Sequence, residues 1–492
     1  MEIVPSSVLA LLAVAMMTVK GPYRGLWIFI ATTPFGAAAA FNMPALGGAS
    51  ILAADLAAVS IFALVALLPG GLRQIAGSMR VGQPGFWLLL LSVFCVVATL
   101  FFPRLFQGQT EVFSLTRDIG RHGIIEVPLR PSTGNLTQLF RLMLGVATFY
   151  ALATVFRMRP DARMVVHAVA VATVINIALG WIDVLSHAVG LPDLLTILRS
   201  ANYSMLDGAY MAGLKRMVGG FPEASSYGYY GLGLFAFWLQ YWLSGPRSRW
   251  VTALMVLSAV AVVRSTSSAS YVALIAYLVT VAMFGIWRNL NGRIERRALA
   301  IGMTAALAAW GVLLLFLATY ATVQPVRQFF DDVLFNKMSS SSGIERMSWN
   351  AQAFKNFVDT YAMGAGLGAV RASSWLMATL ASIGVIGTFL FGMFILSVMT
   401  GPAGRGARRE PPSAAVRASR SACLAFLISA LLTGATPDMG VIFFAFCGLA
   451  AGLNRGAILS RRNGAELPYS GHAALRNNRL SNAALSPALD LK

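Results

Sequence analysis

Charged side chains are scarce in this 492-residue chain, and acidic ones scarcest. Only 12% of residues are Asp, Glu, Lys or Arg, and 38 bases outnumber 19 acids. A soluble domain carries about twice that charged fraction, so a water-soluble fold is excluded. Cysteine is nearly absent. Cys95, Cys423 and Cys447 all fall inside apolar runs without paired spacing, which excludes a disulfide framework and leaves buried small hydrophobes. Histidine is as rare: His122 and His187 have no partner at ligand spacing, His167 stands alone in an apolar run, and His472 is in the tail. No metal and no other cofactor is expected from such a set. The apolar runs are continuous rather than alternating, which excludes a β-barrel. The first run lacks the basic leader and cleavage site of a signal peptide, so it is expected to remain as a span.

What is present is apolar length. Hydrophobic residues make up 57% of the chain, in runs close to the length that crosses hydrocarbon. Candidate spans lie at about 4–19, 25–41, 51–68, 86–102, 139–156, 164–184, 227–243, 250–264, 268–287, 298–320, 374–399, 420–434 and 439–454. The fold expected is an all-α polytopic membrane protein of about 12–13 transmembrane helices. The lower count holds if the last two runs are one helix broken at Thr436-Pro437-Asp438. The short connections alternate between basic and bare: Lys20 and Arg24, then none, then Arg73 and Arg80, and so on to Arg405–Arg420. Basic loops stay on the cytoplasmic side, which predicts a periplasmic N-terminus, a cytoplasmic C-terminus and long external loops at about 103–138, 185–228 and 322–373. Residues 1–454 form the membrane domain on this reading, and 455–492 a polar, disordered cytoplasmic tail. The net charge of +19 follows from topology and anionic headgroups, not from nucleic acid, because no basic patch carries interleaved aromatics.

The external loops differ in pattern. Residues 103–138 alternate polar and apolar, as a hairpin does. Asp193–Leu206 reads as a short amphipathic helix. Phe329–Lys337 and Glu345–Phe357 read as helices, the second with a Ser342/Glu345 capping box. Gly401–Arg420, rich in Gly, Pro and Arg, reads as a mobile loop.

Three clusters can carry chemistry. The first is Lys215-Arg216-Met217-Val218-Gly219-Gly220-Phe221-Pro222-Glu223-Ala224-Ser225-Ser226-Tyr227-Gly228: cations, a flexible Gly-Gly, then a carboxylate and hydroxyls at a helix start. Guanidinium forks and helix N-termini suit phosphate, and a carboxylate nearby can take a hydroxyl proton. The plainer alternative is that the cations face headgroups and Glu223 serves its helix. The second is Arg264, in the tight turn Arg264–Ser268 between two spans, where a snorkelling arginine is the alternative. The third is Glu345-Arg346-Met347-Ser348-Trp349-Asn350. Arg346 and Asn350 share one helical face, and Glu345 and Trp349 another; a solvated amphipathic helix fits equally. Gly364–Gly368 lacks the strand and Lys-Ser/Thr of a nucleotide loop and reads as a close-packing segment. Asp55 and Asp183 lie in apolar runs and should face the bundle interior.

In order and placement these segments resemble the bacterial O-antigen ligase/polymerase superfamily of Wzy- and WaaL-type proteins. The resemblance rests on Arg216–Ser225, the Arg264–Ser268 turn, Arg346 and Trp349, Met363–Gly368, Ser373–Trp375 and Ile383–Gly387, and covers about residues 139–400. It implies a class C-like membrane glycosyltransferase that uses polyprenyl-diphosphate-linked saccharides at the periplasmic face of the inner membrane, without metal or nucleotide sugar. Arg216, Arg264 and Arg346 would hold the donor diphosphate and Glu223 would take the acceptor proton. Lys215, Ser225, Tyr227, Trp349, Asn350 and Arg371 would bind substrate. A flippase and a chain-length regulator are the implied partners, beside membrane lipids. Ligases of the family place a His before the span that follows the large loop; here stand Ala372-Ser373-Ser374, which favours an exopolysaccharide polymerase. A ligase passing glycan to a lipid or protein is the alternative of the same chemistry. A transporter or flippase would need charge deeper in the spans.

Overall fold

The computed structural model describes residues 1–43, 49–116, 123–202, 205–211, 213–290, 341–401 and 413–465, with isolated positions between 311 and 331. The chain is a helical, multi-pass membrane protein. Among the described residues, eight helices are long and apolar enough to cross a bilayer, and nine if one sharply bent pair counts as a span. In chain order the helices are α1 Ser6–Arg24, α2 Leu26–Thr32, α3 Ala53–Ala66, α4 Gly71–Ser78, α5 Pro84–Leu105, α6 Thr133–Met158, α7 Ala162–Ala188, α8 Ala224–Ser244, α9 Arg249–Arg264, α10 Ser268–Leu290, α11 Ser341–Asp359, α12 Trp375–Thr400, α13 Ala414–Thr433 and α14 Gly440–Ala465. Three two-stranded antiparallel hairpins interrupt them: β1 Ala39–Met43 with β2 Ala49–Leu52, β3 Glu111–Thr116 with β4 Gly123–Pro128, and β5 Tyr210–Met211 with β6 Leu214–Lys215.

The count departs from 12–13 for reasons that can be named. The run at 25–41 is a seven-residue helix followed by the first strand of a hairpin; an Ala-rich apolar stretch satisfies a hydropathy window in either conformation. The run at 51–68 yields only α3, which meets α4 at a bend of 109°. α9 has 16 residues. α8 carries Ser, Tyr, Gly and Gln among its apolar residues, and it can do so because Tyr227, Tyr230, Phe237 and Trp238 are buried in the bundle rather than facing lipid. The run at 298–320 and the helix at Phe329–Lys337 lie outside the described residues or almost wholly so.

Local expectations fared unevenly. The hairpin in 103–138 is present as β3–β4. The helix over Asp193–Leu206 is not: Pro192–Leu195 forms a single 3₁₀ turn, and the chain then passes to the β5–β6 hairpin. A proline at its start and two glycines beyond it leave too short a run to propagate a helix. α11 begins at Ser341, so Ser342 lies within the helix and not at its cap. The tail expected from residue 455 does not begin there, because α14 continues to Ala465; the rest of that segment lies outside the described residues. Likewise α13 takes in Arg417 and Arg420, held at its start by Ser413, whose Oγ accepts from Val416 N.

The centre of the bundle is the α6–α14 pair. Gly448, Gly452 and Gly456, one helical turn apart, lay α14 against the α6 backbone. A Cβ on them would stand 2.8 Å from Phe149 O, 2.8 Å from Ala153 O and 2.2 Å from Phe156 O. Small residues at four-residue spacing permit this approach in a bilayer, where no hydrophobic drive separates helix from lipid. Gly364–Gly368 plays the packing role expected of it. Gly364 lies on the Ser382–Gly384 backbone, Gly366 on Pro103 and Gly368 on Gly134. All three have positive φ, and Gly384, φ 62, kinks α12 where they meet it.

Candidate active site at one end of the bundle

The starts of α3, α6, α8, α12 and α14 and the end of α13 share one end of the bundle, and the first charged cluster crosses it. Residues 215–223 are pinned from below by Asp183, near the end of α7. Asp183 Oδ1 accepts from Lys215 Nζ at 2.9 Å and from Arg199 Nη2 at 2.6 Å; Oδ2 accepts from Val218 N at 2.9 Å and Gly219 N at 3.2 Å. Arg199, whose side chain is 2% exposed, also donates to Gly219 O and to Asp207. A buried carboxylate with four donors is fully used, so Lys215 is held as part of this anchor.

Arg216 stands just beyond the anchor. Its Nε is buried with no acceptor among the described residues. Burial depresses its pKa; the Glu223 carboxylate opposes that, the Arg346 charge adds to it, and Tyr271 opposes it. Arg264 donates through Nη1 to Lys215 O at 2.8 Å, and Tyr271 is within electrostatic reach of both Arg264 and Arg216. Three arginines far apart in sequence thus share one region: Arg216 is within electrostatic reach of Glu223 and of Arg346, and Arg264 grips the carbonyl of Lys215, the residue before Arg216. Like charges assembled at a bundle's end, with too few acids to balance them, suit an anionic ligand.

The third cluster serves partly as scaffold. Asn350 Oδ1 accepts from Ser373 N at 2.8 Å, and the Arg371 guanidinium lies 4.2 Å over the Trp349 ring. Burial also lowers the Arg371 pKa, with Glu345 opposing. α11 is fixed to the β3 strand by Gln352 and Asn356, which both donate to Glu111 O. These contacts seat α11 so that Arg346 lies within electrostatic reach of Arg216. Tyr227 is a correction: it is 0% exposed, and its hydroxyl donates to Asn176 O at 3.3 Å, so it packs α8 on α7 and is closed to substrate. Ser225 Oγ donates to Glu223 Oε1, which orients the carboxylate.

Beside the arginines is a cavity of about 310 Å³ that includes Asp55, Arg141, Glu223, Ser225, Trp375 and Asp438 in its wall. Neither Arg216, Arg264 nor Arg346 lines it. Asp438 is held by Gln138 Nε2, by Thr436 Oγ1 at 3.2 Å and by Gly440 N at 3.1 Å. Asp55 Oδ2 accepts from Leu52 N at 3.0 Å at the start of α3. Arg141, Asp438 and Arg199 escaped the reading of the chain. The available signal was charge inside or beside apolar runs, which demands a partner; Asp183 required a cation, and Arg199 supplies it. Among the described residues no three His, Cys, Asp or Glu side chains are grouped as a metal site would need. No protein-family model and no curated protein matches the chain.

Proposed function

We propose that this chain is an inner-membrane polysaccharide polymerase, a metal-independent class C-like glycosyltransferase that joins polyprenyl-diphosphate-linked oligosaccharide repeat units at the periplasmic face. The observation that carries the reading is that Arg346 and Glu223 both act on Arg216, while Arg264 holds the carbonyl of the adjacent Lys215, all at one end of a membrane bundle. In this reading that end faces the periplasm, as the basic loops at the other end require. The arginines bind the donor diphosphate through bidentate hydrogen bonds. An acceptor hydroxyl oxygen attacks the donor's anomeric carbon; that C–O bond forms as the anomeric C–O bond to phosphate breaks, and polyprenyl diphosphate departs with the electron pair. Glu223 takes the hydroxyl proton. The guanidinium groups lower the barrier by meeting the charge that grows on the leaving group.

The test is polymer length in cells carrying Arg216→Ala, Arg264→Ala or Arg346→Ala at normal expression. Loss of one donor to a developing oxyanion costs about 10²–10³ in rate, so each variant should leave single lipid-linked repeat units in place of polymer. Full-length polymer from all three refutes the reading. Accumulated long lipid-linked polymer in a deletion strain would instead identify a ligase.

A further inference from the structure

We infer that the cavity beside Glu223 is the acceptor pocket, and that it takes a neutral or amino-sugar residue and rejects one bearing a carboxylate or sulfate. The inference rests on the polymerase reading and deepens it. Glu223 belongs to two places at once. Its charge acts on Arg216, on the diphosphate side, and its side chain lines the cavity with Ser225, Asp55 and Asp438. A proton acceptor must stand between the leaving group and the attacking hydroxyl, so the space on its other side is where that hydroxyl's sugar belongs.

The lining fits a saccharide. At about 310 Å³ the cavity is at the small end for a ligand site, suited to a small saccharide and not to a polyprenyl chain. Carboxylate oxygens accept hydrogen bonds from sugar hydroxyls, and the rings of Phe221, Tyr230 and Trp375 supply apolar wall for sugar C–H faces. The three carboxyl groups are distributed around the wall rather than converging on one point as a metal site would. Three carboxyls against the single guanidinium of Arg141 make the pocket electronegative, so an acidic acceptor would meet repulsion in a site of reduced dielectric. The two ligand sites thereby divide by charge: cations for the diphosphate, acids for the sugar.

The experiment measures binding to the purified full-length protein in detergent. One probe is polyprenyl diphosphate. The other is the free oligosaccharide released by mild acid from lipid-linked repeat units of a strain lacking this chain. Asp438→Asn removes a charge from the pocket, and Thr433→Trp, at the last residue of α13 on the cavity wall, fills it at the cost of one hydrogen bond to Ser429 O within its own helix. Each should weaken oligosaccharide binding at least tenfold and leave polyprenyl diphosphate binding within twofold. Arg216→Ala should do the reverse. Oligosaccharide affinity unchanged in Thr433→Trp overturns the pocket assignment while leaving the polymerase reading intact; polyprenyl diphosphate affinity unchanged in Arg216→Ala overturns the polymerase reading. A uronic or sulfated sugar at the non-reducing end of the repeat unit overturns the charge selectivity.

Discussion

Asp183→Ala should loosen the whole active end of the molecule. The carboxylate takes four donors, two of them cationic, and is 3% exposed. Removing one member of a buried ion pair costs about 3–5 kcal/mol, chiefly because the other charge is left uncompensated. Here the compensation is partial. Arg199 keeps Asp207 at 3.2 Å and the Gly219 carbonyl, whereas the Val218 and Gly219 amides lose their acceptor and Lys215 loses its ion pair. The loss should therefore fall near the lower bound, about 3 kcal/mol, a large share of the roughly 5–15 kcal/mol that holds a native protein folded. Scanning fluorimetry in detergent should show a fall in melting temperature of on the order of 5 °C. Replacing both partners, Asp183→Leu with Arg199→Met, removes the Arg199 charge and leaves only the Lys215 ammonium without its ion pair, so the double variant should melt above the value the single variants Asp183→Leu and Arg199→Met sum to. A Asp183→Ala protein that melts with wild type, or a double variant at or below the sum, refutes the assignment of Asp183 as the anchor of residues 215–219.

Gly452→Leu should destabilise by about 1–3 kcal/mol or more through overpacking, because a Cβ alone would stand 2.8 Å from Ala153 O; Gly285→Leu, with open space around it, is the control and should melt with wild type. The three cysteine thiols are buried and should resist a membrane-permeant maleimide until the protein is unfolded in denaturant. Rapid labelling of Cys423 or Cys447 in the native protein would contradict the tight α13–α14 packing that brings their sulfurs to 3.5 Å.

Legibility in the sequence followed the physics of each feature. α5, α6, α7 and α12 were readable because long apolar runs leave the backbone no other way to satisfy its polar groups in lipid. The β3–β4 hairpin was readable from alternation, and the Gly364–Gly368 stretch from glycine density. The hairpin after α2 was not, because Ala37–Ala40 has no period to distinguish strand from helix. Arg216 and Arg264 were visible as charges set against span ends, and Arg346 as a charge on an amphipathic helix in the long loop. The cavity was invisible because Asp55, Arg141, Glu223 and Asp438 come from four separate elements, and nothing in their spacing announces that the elements meet. Tyr227 was misread because position at a helix start says nothing of which way a ring turns; its hydroxyl points to the neighbouring helix.

Residues 215–226 act as one strap, which makes the two halves of the site inseparable. Asp183 holds Lys215 at one end and the Val218 and Gly219 amides in the middle, with Arg216 between these fixed points and unable to drift from Arg264, which grips the Lys215 carbonyl. Gly220 then presses on the Pro34 carbonyl, where a Cβ would come within 2.4 Å, and its own carbonyl accepts from Ala37 N at 2.8 Å. Phe221 and Glu223 follow directly into the cavity wall. Only two residues separate the last of these anchors from Glu223, and at about 3.3–3.6 Å per residue the carboxylate has little freedom to move independently of Arg216. A rate that requires nucleophile, proton acceptor and leaving-group charge to be aligned at once gains most from such a common support. On the polymerase reading, a substitution at Asp183 that touches neither ligand should depress the rate constant at saturating donor and acceptor rather than either affinity alone.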